Sequence, residues 1–290
     1  MTSAVRTPAV AGRFYPGRAE ELLREVRGYT SSGTTFLDTR VESGRIAALG
    51  CVAPHAGYIY SGGVAGAVYS RLEIPERCVI LCPNHTGKGR PLAVMANTVW
   101  QTPLGEIAAD AELGACLLDR FPALQEDSAA HRGEHAIEVQ LPFLQARRPE
   151  VRIVPIVVGT SDFEMLRGLG DALADVIGDL LEGDRKVEGD RKERVLIIAS
   201  SDMNHYESDE VTRVKDRMAI ERVLAMDARG LWETVLNEDI SMCGFGPTVV
   251  MLTAAKLLGA TSAALVKYAT SGEVSGDYES VVGYAGIIVE

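Results

Sequence analysis

The sequence predicts a single α/β domain with a mostly parallel or mixed central sheet flanked by helices. Three observations carry this. Continuous apolar runs such as VLIIAS at 195–200, the pattern of strands buried on both faces, alternate with segments of helical periodicity. No linker-like stretch divides the 290 residues, so 1–290 reads as one domain. Hydrophobic residues make up 47% and charged residues 24%, a balance that can bury a sizeable core.

The elements follow in order. Residues 6–17 (RTPAVAGRFYPG) form an arm bounded by prolines, with Phe14 and Tyr15 expected to anchor it on the domain and, as the alternative, to line a cleft mouth. A helix is expected over 18–30, where Leu22, Leu23, Val26 and Tyr29 share a face, and a polar loop over 31–44. Ile46 to Val52 reads as a buried strand ended by Pro54. Ser61-Gly62-Gly63 then opens a helix to Arg71, with Ala65, Gly66 and Ala67 small enough to pack closely on a sheet. Strands are expected at 77–82 and 92–100, a turn at Thr102-Pro103-Leu104-Gly105, and a helix over 110–120. The loop 121–133 places His131 in solvent. A helix over 134–147 is kinked or split by Pro142. The strand 151–158 contains Pro155, a sign of a bulge or an edge position.

A long helix is expected over 162–181. Residues 182–193 repeat EGDRK six residues apart and read as a solvated, charged loop insertion. After the strand 195–200, helices are expected at 208–226, 230–237 and 247–258, the last with Pro247 in its first turn. Strands at 263–269 and 281–289, joined by a turn at 271–278, close the chain.

The formal net charge of −11 argues against nucleic acid or an anionic membrane as partner, since both select clustered Lys and Arg. No apolar run approaches the ~20 residues of a membrane span. The five cysteines lack the spacing of a disulfide framework, and the N-terminus lacks a signal-peptide core. The expected location is cytoplasmic, with reduced thiols. No P-loop, GxGxxG, GxSxG or HExxH pattern occurs, which disfavours the enzyme classes built on them.

The functional signal lies in the histidines. His55, His85 and His205 each follow a predicted strand directly. Ligands of open α/β sheets bind beyond the carboxyl ends of strands, so the three imidazoles are expected to converge. Such a cluster, joined by Cys or a carboxylate, suits Zn, Fe or Cu. Cys51, Cys78 and Cys82 lie in apolar strands and read as core, whereas Cys243 lies in a Gly-flanked loop and is the candidate metal ligand or redox thiol. Asp202, three residues before His205, can ligate a metal, orient an imidazole or cap the next segment. His135 and Glu138 share a face of the predicted helix, either as a proton-handling pair or as favourable charges in a first turn. Tyr58, Tyr60, Trp100 and Tyr206 are candidates to line the cleft.

Six segments in order, PAVAGRFYPG, APHAGYIYSG, PNHTG, TPLGE, EHAIEVQLPFLQ and SSDMNHY, resemble the Memo family and its prokaryotic members from about residue 6 to the C-terminus. The resemblance implies a fold similar to class III extradiol ring-cleaving dioxygenases, which are non-haem Fe(II) enzymes. It implies iron or copper held by residues that fall on His55, His85 and Cys243. The SSD-x-x-H motif falls on Asp202 and His205, which with His135 are the expected catalytic groups, and the pocket tyrosine falls on Tyr60. A cysteine in place of the carboxylate of a two-His, one-carboxylate site moves preference toward Cu(I), Zn or a more covalent Fe site. The expected ligand is a small molecule or a peptide. A functional link to a radical-SAM protein and a homo-oligomer are further expectations. Three readings stay open: a dioxygenase-like oxidoreductase, a ligand-binding module with no turnover, and a zinc-dependent hydrolase.

Overall fold

A computed structural model describes residues 4–31, 45–184 and 194–290. In chain order the strands are β1 (Ala4–Arg6), β2 (Gly50–Ala53), β3 (Arg77–Pro83), β4 (Leu92–Val94), β5 (Thr98–Thr102), β6 (Gly105–Ala108), β7 (Gln125–Glu126), β8 (Arg152–Val158), β9 (Val195–Ser200), β10 (His205–Glu207), β11 (Ala263–Thr270) and β12 (Val281–Val289). The helices are α1 (Ala19–Ser31), α2 (Tyr58–Arg71), α3 (Ala111–Arg120), α4 (Ser128–His131), α5 (Leu141–Arg147), α6 (Phe163–Asp184), α7 (Asp209–Leu224), α8 (Ala228–Asn237), α9 (Phe245–Leu257) and α10 (Gly272–Ser275).

The main sheet runs β10-β12-β2-β9-β3-β8-β4-β7, with β11 on the far side of β12. Its middle strands β2, β9, β3 and β8 are mutually parallel. They are buried almost without interruption, as parallel strands covered on both faces must be. Alternate residues sort to opposite layers. Val52, Val79, Leu81, Ile156 and Ile197 pack toward α3, α6 and α9, and Cys51, Ile80, Ile153 and Ile198 toward α1, α2 and α5. Because β2, β9 and β3 are neighbours, the chain leaving Ala53, Ser200 and Pro83 emerges at one end of the sheet. This is where the polar motifs begin.

The helix layer over β2 depends on glycine. A Cβ on Gly66 would lie 2.5 Å from Tyr29 Cβ and 2.7 Å from the Tyr29 carbonyl carbon of α1, so α1 and α2 touch backbone to backbone. Gly66 thus serves the approach to α1, while α2 also packs closely on the sheet as the small residues suggested: a Cβ on Gly286 of β12 would lie 2.5 Å from Val68 Cγ2. Gly66→Ala is expected to cost about 3 kcal/mol, because the obstacle is main chain that cannot rotate away. Urea unfolding would read this as a lowered midpoint at unchanged slope.

Several elements differ from the sequence reading. The strand expected from Ile46 is β2 and begins only at Gly50, while Ile46 makes an isolated bridge to Leu72. The helix after His55 begins at Tyr58 instead of Ser61. The expected strand 92–100 is two strands in two sheets: β4 pairs with β8, and β5 lies between β1 and β6 in a separate three-stranded sheet. Pro155 is neither bulged nor at an edge. It lies within β8, paired with Ile80 on one side, where β4 hands over to Ala109 on the other. The expected helix 134–147 is a turn, a 3-10 segment over Glu138–Gln140, and then α5 with Pro142 in its first turn. Helix α6 continues to Asp184, and the rest of the charged insertion, like most of the loop 31–44, lies outside the described residues.

Candidate metal centre

His55, 1% exposed, lies just beyond β2. Its tautomer follows from its neighbours. Tyr69 Oη donates to Gln140 Oε1 (2.9 Å), so the Gln140 amide nitrogen faces Ser200 and donates to its Oγ (2.8 Å). Ser200 Oγ spends its own proton on the Ala136 carbonyl (2.7 Å). Toward His55 Nδ1, 2.9 Å away, it can therefore only accept. Nδ1 carries the proton, and Nε2 presents a lone pair to the pocket. Burial, then the charges of His85, His135 and His205, hold the His55 pKa well below the usual range, so the ring is a neutral ligand at neutral pH.

Glu134 organises the next two imidazoles. Its buried carboxylate accepts from His85 N (2.7 Å), His85 Nδ1 (2.9 Å), His135 N (2.9 Å) and Ala136 N (3.0 Å). His85 is thus also protonated at Nδ1, with Nε2 free. Burial pulls the His85 pKa down, but the Glu134 carboxylate outweighs it and the net shift is upward. The His135 ring stacks on His85 at a centroid distance of 4.7 Å, and burial lowers its pKa. Among the described residues, ligand atoms of His55, His85 and His135 lie within 4.8 Å of one another.

Cys243, in the loop before α9, places its Sγ 3.3 Å from His55 Nε2. Burial, then the charge of Asp202, raises its pKa well above the ordinary thiol value. A cation at the imidazoles would reverse that preference and draw out the thiolate. Asp202 accepts at Oδ1 from His55 N (2.7 Å), and its carboxylate also accepts from the Ala56 amide. Its carboxylate thus braces the His55 turn. Burial raises its pKa to about 7 against the pull of those amides. His205 begins β10. Its Nδ1 donates to Ser241 O (2.9 Å), again leaving Nε2 free. The next residue, Tyr206, has φ 62 at an irregularity in the β10–β12 pairing, a conformation that non-glycine residues adopt at a cost.

The structure therefore gathers His55, His85, His135 and Cys243, with Asp202 behind them, and places His205 within electrostatic reach of His55 and His85. His135 joins the cluster as a donor instead of pairing with Glu138, which turns away to the N-terminal arm. The expected pocket tyrosines divide. Tyr60 and Tyr206 are exposed, at 39% and 78%. Tyr58 and Trp100 are core residues and line no cleft: Tyr58 Oη donates to Val139 O among Tyr15, Tyr29 and Phe143, and Trp100 lies under Arg6 in the small sheet. His131 is fully buried, edge-on to Trp100 with Nε2 at Ala93 O, and not in solvent. Ser200, Gln140, Glu134 and Ser241, which set the rings, went unnoticed in the sequence. So did Tyr284, buried and electrostatically close to Asp202, Tyr60 and Tyr206.

The donor chemistry fits a first-row transition metal. Two imidazoles with defined open nitrogens, a third against them and a thiol form an N/S set suited to Zn, Cu or Fe. The nearest carboxylates, Glu134 and Asp202, are occupied by amide and imidazole donors. Among the described residues no helix is long and apolar enough to cross a membrane.

A family model described as Memo-like protein matches residues 6–288. The chain is similar over nearly its whole length to proteins named MEMO1 family protein. One from Methanosarcina mazei is 44% identical over 287 residues, 99% of each chain. One from Methanopyrus kandleri is 43% identical over 288 residues, 98% of each. One from Aquifex aeolicus is 41% identical over 286 residues, 98% of each.

Proposed function

This chain belongs to the Memo family, and from that premise we propose that it is a metal-binding protein whose ion is held by His55, His85 and Cys243 with His135 beside them. The observation that carries the reading is the convergence of three imidazoles from separate elements, with ligand atoms within 4.8 Å of one another. Iron or copper is the preferred ion on the family resemblance, with zinc as the alternative, and the nitrogen and sulfur donors suit all three. The ion would supply Lewis acidity and, for iron or copper, one-electron chemistry. The reaction is an oxidation of a small molecule.

The chain's own groups have defined parts in that reading. Ser200 and Glu134 hold the protons of His55 and His85 away from the pocket. Asp202, with its pKa raised to about 7, is placed to hold or release a proton near neutral pH, and His205, whose pKa burial lowers, keeps Nε2 open to accept one. Tyr60 and Tyr206 stand at the exposed rim.

The test is metal analysis of protein purified anaerobically, beside His55→Ala and Cys243→Ser. The wild type is expected to carry close to one ion per chain, His55→Ala to lose it, and Cys243→Ser to hold it more weakly. Equal metal content in all three would refute the assignment.

One observation favours a second reading. His85 is more basic than an ordinary imidazole and partly exposed, so a metal-free pocket would offer a cation to an anionic small molecule or peptide. A ligand affinity that survives removal of all metal would support it.

A further inference from the structure

The N-terminal arm reaches into the candidate centre. Val10 O accepts from Arg13 N (3.0 Å) and Phe14 N (2.9 Å), and Gly12 N donates to Tyr15 O (2.8 Å). The tight loop depends on Gly12, at φ 79 in the left-handed region that favours glycine. It delivers Phe14 outward. The Phe14 ring meets His135 edge-on, with centroids 4.8 Å apart and planes at 62°. Its carbonyl accepts from Tyr58 N (2.7 Å) at the start of the helix that follows His55.

The loop is locked in place. Glu138, 0% exposed, accepts from Ala9 N (2.8 Å), Val10 N (3.0 Å), Tyr15 Oη (2.7 Å) and the Arg6 guanidinium. Arg6 also donates to the carbonyls of Glu134 and His131. These hydrogen bonds join the arm to the segment that carries Glu134 and His135, while the Arg6 guanidinium also lies over the Trp100 ring. Removing either partner would leave the other charge buried and alone.

The three imidazoles are held in different ways. His55 and His85 have Nδ1 tied to acceptors at 2.9 Å. His135 Nδ1 is 3.4 Å from Glu134 Oε1 without the alignment of a hydrogen bond. Its orientation therefore rests on rings: His85 stacked against it, with Phe14 edge-on at 4.8 Å and His55 edge-on at 5.5 Å. An aromatic edge against an imidazole is directional, because the quadrupole favours the T-shaped arrangement over others.

We propose that Phe14 is a positioning residue for His135, and that the arm locked through Glu138 and Arg6 is a wall of the centre. The effect on metal affinity rests on the metal-binding reading above; the effect on the ring does not. The test uses the full chain with Phe14→Ala, Phe14→Leu and Phe14→Tyr. Leucine keeps apolar bulk without a ring and guards against a variant that fails to fold. In metal-free protein with labelled histidine, the cross-relaxation signal between the ring protons of His85 and His135 is the first measurement. The second is the Kd for Co(II), followed by its visible absorption.

The ring signal is expected to fall by half or more in the alanine and leucine variants, and the Co(II) Kd to rise about 3- to 10-fold. Tyrosine should restore both. An unchanged ring signal in both the alanine and leucine variants overturns the proposal, whatever the metal does. If the wild type binds no Co(II), the metal reading fails and the ring signal alone decides the role of Phe14.

Discussion

Glu134→Ala is expected to weaken metal binding by about 10- to 100-fold, the usual cost of removing the group that orients a ligating imidazole. The carboxylate fixes the His85 ring through Nδ1 and fixes the backbone of His85, His135 and Ala136 through three amides. Alanine releases the ring to either tautomer, one of which points a proton into the pocket. It also leaves buried amides without an acceptor, at roughly 3 kcal/mol of stability. Co(II) titration and urea unfolding on the same preparation would measure the two effects. Unaltered affinity in a destabilised protein would show that Glu134 serves the fold alone.

The second large effect concerns Asp216 and carries the opposite sign. Asp216 is fully buried in α7, with Oδ2 accepting from Tyr268 Oη (2.6 Å) and Oδ1 from Asn204 N (2.8 Å). Burial raises its pKa from 3.8 to about 7, against the pull of those two hydrogen bonds. A carboxyl whose folded pKa lies above its unfolded value binds more protons in the native state between those two values. Stability from this group is therefore full below about pH 4, declines as the pH rises toward 7, and is lost above it. The ceiling is about 4 kcal/mol at 1.36 kcal/mol per unit. Asparagine can still accept from Asn204 N and can donate to Tyr268 Oη. Asp216→Asn is expected to raise stability by about 2 kcal/mol at pH 8 and to change it little at pH 4. Denaturant curves at the two pH values decide. A variant destabilised equally at both would mean that the carboxylate is ionised throughout and held by its partners.

The sequence made the positions of His55 and His85 readable because each follows an apolar run that could only be an interior strand, and strand ends of one sheet meet. Cys243 stood out because its loop is glycine-flanked where the strand cysteines are not. The groups that control these side chains were hidden for physical reasons. Ser200 ends an apolar strand and looks like its terminus; its role appears only in the register that sets it opposite Ala53. Gln140 looked like one polar residue among many in a helix, yet it is fully buried and linked to Tyr69. Glu138 bonds with residues more than 120 positions away, a pairing that helical periodicity does not reveal. His131 misled because a polar neighbourhood in sequence became a buried one in space, under Trp100 and Arg6. Tyr58 and Trp100 followed the rule that large aromatics fill the core first.

The candidate donors His55, His85, His135 and Cys243 come from four separate stretches of chain, each set by a different strand end or turn. No fragment can hold such a set, and no partly folded chain presents it. Formation of the centre and completion of the fold are then one cooperative event. An ion bound there adds its full binding free energy to the stability of the whole domain, in proportion to the logarithm of its concentration over Kd.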